Sequence, residues 1–249
     1  MLAPRAREFE RAIASLATPP RFGDSLQRAN VSVIAEVKRS SPSKGAINLG
    51  MDVERQLRAY EAGGAAAISI LTEPERFGGS NDDLTLARKC VELPLLKKDF
   101  HVTVVQILEA RVLGASAALV IARAVAPDRL KELLRAGREA GIEILVEVRD
   151  ESELDLALTL DAKLIGVNNR NLETLQIDPE TSTRLLPLIP PSVVAIAESG
   201  VRSTADVARA ALAGADAVLV GSELSKSSDP EDAVRSLIEV PRMVDARKG

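Results

Sequence analysis

The 249-residue chain is long enough to bury one large core, and no Gly/Pro/Ser-rich linker or break in composition divides it. Hydrophobic residues make up 46% of it but aromatic residues only 2%, with no Trp, so that core has to be built from Ala, Val, Leu and Ile. A net charge of −4 without a Lys/Arg block argues against a nucleic-acid surface, while a single Cys and a single His exclude an intrachain disulfide and leave no zinc-type ligand set.

Residues 1–30 precede the first predicted strand. Arg5, Arg7, Glu8, Glu10 and Arg11 interrupt the apolar residues there, which does not match a secretory leader. Phe9, Ile13 and Leu16 recur at helical spacing and predict an extra N-terminal helix that covers the barrel described next. Beyond it, short apolar runs alternate with longer amphipathic ones. Strands are predicted at 33–37, 66–71, 95–98, 117–121, 144–148, 164–167, 193–197 and 217–220. Helical patterns at 51–62, 104–113, 127–140 and 204–213 each end at glycine, and Asp178-Pro179 and Asp229-Pro230 read as an N-cap followed by the first helical residue. Strand–helix alternation implies right-handed crossovers and a parallel sheet. Eight such units in one domain, 1–249, favour a closed (β/α)8 barrel over an open sheet, and about 250 residues is typical of that fold. No apolar run approaches the ~18 residues of a membrane span, so a cytoplasmic protein is expected.

Charged residues stand repeatedly at the downstream ends of these apolar runs, where a (β/α)8 barrel gathers its active site. After the first run come Glu36 and Lys38, two residues apart and therefore on one face. An acid beside an amine can pair at the rim, orient a ligand or tune a pKa. The third run ends in Lys97-Lys98-Asp99. Alternation turns only one of the two lysines inward and does not say which. At such a strand end, burial is expected to lower a lysine toward neutrality and suit it to act as a general acid. Glu147 closes the fifth run as a candidate base or proton relay. Asn168 and Arg170 share a face after the sixth, where an Arg fork suits a carboxylate and an Asn amide a hydroxyl or amine. Glu198-Ser199-Gly200 and Gly221-Ser222 follow the seventh and eighth runs, the places where this fold commonly binds phosphate through backbone N–H groups. His101 is read as a loop or helix-start residue and Cys90 as core packing.

Several stretches carry a family resemblance: Ala35-Glu36-Val37-Lys38-Arg39-Ser40-Ser41-Pro42-Ser43-Lys44-Gly45, Phe77-Gly78-Gly79-Ser80, Lys98-Asp99-Phe100, Gly166-Val167-Asn168-Asn169-Arg170-Asn171-Leu172, Ala197-Glu198-Ser199-Gly200 and Val220-Gly221-Ser222. In this order, from the first strand to the eighth, they resemble indole-3-glycerol phosphate synthase in its monofunctional form. The resemblance implies conversion of 1-(2-carboxyphenylamino)-1-deoxyribulose 5-phosphate into indole-3-glycerol phosphate, CO2 and water, with no cofactor and no metal. It makes Lys98 the catalytic lysine that protonates the ketose oxygen. Lys38 would pair with the anthranilate carboxylate and share acid duty, Glu147 would be the base or relay, and Glu36 would hold the lysines and substrate hydroxyls. Asn168, Arg170, Glu198 and Ser199 would position the substrate; Ser41, Gly200, Gly221 and Ser222 would take its phosphate; Phe77 would line the anthranilate pocket. The partner implied is a small phosphorylated molecule, with no nucleic acid and no membrane, and the chain is compatible with a monomer. Asn48-Leu49-Gly50-Met51, His101 and Leu175 depart from the family pattern, all in loops beside the site.

Two rivals remain. A ribose-phosphate isomerising barrel would use an acid/base pair after strands one and six and would not need Lys98. A noncatalytic barrel would not need Lys38, Lys98 and Glu147 together.

Overall fold

The computed structural model describes residues 4–247. Eight parallel strands close into a barrel: β1 Ser32–Val37, β2 Ala67–Leu71, β3 Leu95–Lys98, β4 Ala117–Ile121, β5 Glu143–Val148, β6 Leu164–Asn168, β7 Val194–Glu198 and β8 Ala217–Val220, with β8 pairing back onto β1. All eight predicted strands are present. The informative differences are at the downstream ends of β6 and β7, which run on through Asn168 and Glu198 and set these two side by side in the ladder. The pleat, not a loop, therefore aims both side chains.

Helices lie between the strands as their periodicity predicts. Val53–Ala62 is capped by Asp52, which accepts from the Arg55 amide, and Pro127–Ala140 ends at Gly141 with φ +73°. The Asp229 side chain caps Pro230–Arg235, and Asp178 accepts from the amide of Glu180, the first residue of the helix Glu180–Leu185. Alternation along the strands sorts the aliphatic residues into two layers. Val33, Ile68, Ile70, Val120, Val146 and Ile165 pack outward beneath the helices, whereas Ile34, Leu96, Leu119, Leu145, Ile196 and Leu219 fill the barrel.

The expected N-terminal helix is present but lies on the flank of the barrel, and it is the segment after it that covers an end, the upstream one. The helix, Pro4–Ile13, packs along the flanking helix Val104–Val112, with Arg5 2.7 Å from Glu109. The chain then passes beneath the barrel, where Phe22 and Leu26 are wholly buried in the inner layer. The amides of Phe22 and Gly23 donate to Glu143 Oε2 at 2.6 and 3.1 Å. Glu143 begins β5, so the extension seals the upstream end, opposite the charged residues. This contact could not be foreseen from the helical spacing of Phe9 and Ile13, because its partner lies more than a hundred residues away.

Candidate active site

Charged or amide side chains stand at the last inward position of β1, β3, β5, β6 and β7, namely Glu36, Lys98, Glu147, Asn168 and Glu198, whereas β2, β4 and β8 end in Leu71, Ile121 and Leu219. Lys98 is the inward lysine: its Nζ lies 3.3 Å from Glu147 Oε2 and 3.2 Å from Glu198 Oε2. Lys97 points outward and is buried, donating to Thr72 Oγ1 at 3.0 Å and pairing with Asp99 at 2.8 Å. The choice that alternation left open is thus decided by the ladder. Glu147 is held in turn by Asn168, whose Nδ2 donates to Oε1 at 2.9 Å while its Oδ1 accepts from the Arg170 amide. Across the mouth, Lys38 Nζ lies 3.2 Å from Glu36 Oε1, and Ser69 Oγ donates to Glu36 Oε2. From outside the barrel, Ser225 accepts from the Lys38 amide and donates to the Glu36 carbonyl, fixing this strand end.

Two glycines make room for these carboxylates. A Cβ on Gly166 would stand 2.0 Å from Glu198 Oε1, and one on Gly221 would stand 2.4 Å from Glu36 Oε1. Gly221 was expected only as a phosphate contact; its first duty is to admit Glu36.

Glu36, Glu147 and Glu198 are each at most 3% exposed. Burial pushes Glu198 up to about 7 against the pull of Lys98, with Glu147 and Glu36 adding to the rise. Lys98 corrects the expectation of a lysine lowered toward neutrality. Burial does disfavour its charge, but Glu198, Glu147 and Glu36 together outweigh that and hold it above the ordinary lysine value. The site therefore presents a firmly protonated ammonium beside a carboxyl group poised near neutral pH.

One wall of the mouth is apolar. Phe77 lies beneath Lys38, whose Nζ is 5.5 Å from the ring centroid, and Phe100 tilts against it at 6.5 Å. Leu71, Leu119 and Leu172 complete this wall. Phe100, Leu119 and Leu172 were not singled out from the sequence. Phe100 and Leu172 carried a signal as large apolar residues just past charged strand ends, and Leu119 as an inward position on β4.

The other side of the mouth is polar, lined by Lys44, Arg170, Gly200, Arg202, Gly221 and Ser222. Here Ser199 and Gly200 take φ +64° and +91° in succession, turning the chain sharply after β7. Burial and the neighbouring Arg202 both disfavour the charge on Arg170. Ser41 lines neither side: its Oγ accepts from the Lys44 amide within the hairpin of Ser40–Ser41 and Gly45–Ala46, so Lys44 reaches the rim in its place. His101 is buried outside the mouth, its Nδ1 donating to the Leu119 carbonyl, and burial beside Lys97 pushes it down to about 4. Among the described residues, no group of three or more His, Cys, Asp or Glu is placed to hold a metal ion, and no helix is long and apolar enough to cross a membrane.

A closed parallel barrel with a lysine–carboxylate cluster and the glycines Gly200 and Gly221 at its downstream rim has the architecture of a (β/α)8-barrel enzyme. Solved barrels share the fold at low identity: 3-hexulose-6-phosphate synthase from Salmonella typhimurium matches with a TM-score of 0.65 at 16% identity, covering 87% of this chain and 98% of that one. A thiamine phosphate pyrophosphorylase from Pyrococcus furiosus matches at 0.62 and 14%, covering 84% and 94%. The family model for indole-3-glycerol phosphate synthase matches residues 3–237, and the chain belongs to that family. It is 49% identical over 233 residues to the indole-3-glycerol phosphate synthase of Nocardioides sp., covering 94% of this chain and 90% of that one. It is 50% identical to that of Kineococcus radiotolerans, covering 86% and 78%.

Proposed function

We propose that the chain closes the indole ring of indole-3-glycerol phosphate with Lys98 as the proton donor at its centre. The observation that carries this reading is the Lys98 ammonium held 3.3 and 3.2 Å from Glu147 and Glu198 beside an apolar wall. The substrate's anthranilate ring rests against Phe77 and Phe100, its carboxylate toward Lys38. Its phosphate lies on the polar side, where Gly200, Gly221 and Ser222 supply backbone N–H groups and Lys44 adds charge.

Proton accounting then follows from the residue types. The ring carbon bearing the carboxylate attacks the ketose carbonyl, and Lys98 gives its proton to the carbonyl oxygen, which becomes a hydroxyl. Loss of CO2 leaves its electron pair in the ring. Departure of that hydroxyl as water needs one more proton, from Lys38 or Lys98, and removal of a proton from the new ring, by Glu147. Overall, the substrate becomes product, CO2 and water. Glu36 keeps Lys38 in place, Asn168 aims Glu147, and Arg170, Glu198 and Ser199 hold the sugar chain. Such a positioned donor and base contribute about 10²–10⁴-fold each, and a fixed near-attack geometry adds to that.

An isomerising barrel has no use for Lys98, the group most enclosed by carboxylates here. The biosynthetic reaction supports a cytoplasmic setting. The test is indole fluorescence on mixing the protein with the carboxyphenylamino-deoxyribulose phosphate. The protein has no Trp, so the background is low. A rise that Lys98→Ala abolishes while the fold persists supports both reaction and residue. Binding without a rise, or a near-wild-type rate in the variant, overturns the assignment.

A further inference from the structure

Asn169 follows Asn168 and, by the pleat, faces the other way, out of the barrel. It is buried, at 5% exposed, and none of its hydrogen-bonding groups is idle. Its amide donates to the Glu198 carbonyl at 3.0 Å, and its carbonyl accepts from Asp178 N at 2.8 Å. Its side-chain Nδ2 donates to the Ser199 carbonyl at 3.0 Å, and its Oδ1 accepts from Ser182 N at 2.9 Å, in the first turn of the helix Glu180–Leu185. One residue thus ties the end of β6, the end of β7 and the helix between them.

The tie falls on a strained place. Ser199 holds φ +64° without being glycine, a conformation that persists only where the surroundings over-determine it. Asn169 Nδ2 makes the one side-chain hydrogen bond to the Ser199 backbone among the described residues. Ser199 and Gly200 line the polar side of the mouth, and Glu198 directly precedes them. We infer that Asn169 is a positioning residue for the reaction, holding the Ser199–Gly200 turn in its left-handed form so that this turn can grip the substrate phosphate. Asn168 and Asn169 then divide one task at the end of β6: the first aims Glu147 from inside, the second, just past the strand, sets the phosphate-side loop from outside. This inference rests on the phosphate site proposed above.

Asn169→Asp is the discriminating substitution. It keeps an acceptor for Ser182 N but removes the donor to Ser199 and sets a carboxylate oxygen against that carbonyl. The backbone bond from residue 169 to Glu198 is untouched, so the chemistry should suffer less than the grip. The expected result is a KM at least tenfold higher with kcat changed less than threefold, and a matching rise in the inhibition constant of inorganic phosphate. Asn169→Ala should move KM in the same direction. Wild-type protein assayed alongside separates the two readings. If inorganic phosphate fails to compete with substrate for the wild type, the phosphate site itself is wrong. If it competes equally well for wild type and both folded variants, Asn169 has no positioning role. A fall in kcat at constant KM, or loss of the folded barrel in both variants, makes Asn169 a structural residue only and overturns the inference.

Discussion

Lys98 Nζ lies 3.2 Å from Glu198 Oε2, while Oε1 of the same carboxylate is buried with no hydrogen-bond partner. Half of this carboxylate is compensated by the ammonium and half is not. Burial of the whole group, joined by the charges of Glu147 and Glu36, lifts Glu198 although it touches a cation.

The lift has a sign in stability. Glu198 rises from 4.5 to about 7 on folding, so between these values the folded protein binds the extra proton and is stabilised by it. The stabilisation is complete below 4.5 and is lost as pH climbs through that window, because the unfolded chain sheds this proton while the folded site retains it up to about 7. Glu198→Gln mimics the protonated form. Its melting temperature should equal that of the wild type near pH 4.5 and exceed it increasingly up to about pH 7, with a constant gap above. Melting curves across this range check it; a gap that shrinks with pH refutes the lifted carboxyl.

Gly166→Ala should disable the same carboxylate without touching a charge. The new Cβ would lie 2.0 Å from Glu198 Oε1, so Glu198 must leave Lys98. Overpacking of this kind costs about 1–3 kcal/mol, and kcat should fall roughly tenfold or more as Lys98 and the sugar chain lose the carboxylate that positions them. Steady-state kinetics with a thermal melt decide it; a wild-type kcat would mean that the place of Glu198 does not matter.

Gly221→Ala should reach beyond the phosphate. Because its Cβ would meet Glu36 Oε1 at 2.4 Å, the Glu36–Lys38 pair has to shift, and kcat should fall together with a rise in KM. A KM effect alone would restore Gly221 to a pure phosphate role.

Phe22→Ala should harm folding and spare catalysis. Removing a wholly buried Phe costs about 3–5 kcal/mol, and this one seals the end of the barrel away from Lys98. A large drop in melting temperature with unchanged KM in the folded protein is expected. A raised KM at unchanged stability would put the extension beside the substrate instead.

What could be read in advance was whatever local spacing controls. Eight apolar runs, and the two-residue step from Glu36 to Lys38, follow from strand periodicity. So does the opposition of Lys97 to Lys98; periodicity does not say which faces in, the family resemblance picks Lys98, and its contacts with Glu147 and Glu198 place it inside. The Lys98 pKa escapes local spacing for a related reason: burial is visible in its apolar neighbours, whereas Glu147 and Glu198 approach it from strands far along the chain. The family motif puts Ser41 at the phosphate side, yet the hairpin of Ser40–Ser41 and Gly45–Ala46 turns its hydroxyl onto the Lys44 amide. Asn169 stood unassigned between two assigned neighbours, because all its partners outside β6 are contributed by other segments.

The seal formed by Phe22, Leu26 and Glu143 has a consequence for how this scaffold can change. The parts that keep the barrel shut are at one end, and the loops that recognise substrate are at the other, joined only through the rigid staves between them. Rim loops can be lengthened, shortened or exchanged without loosening the floor, which leaves the catalytic end open to remodelling toward other phosphorylated compounds while the foundation stays as it is.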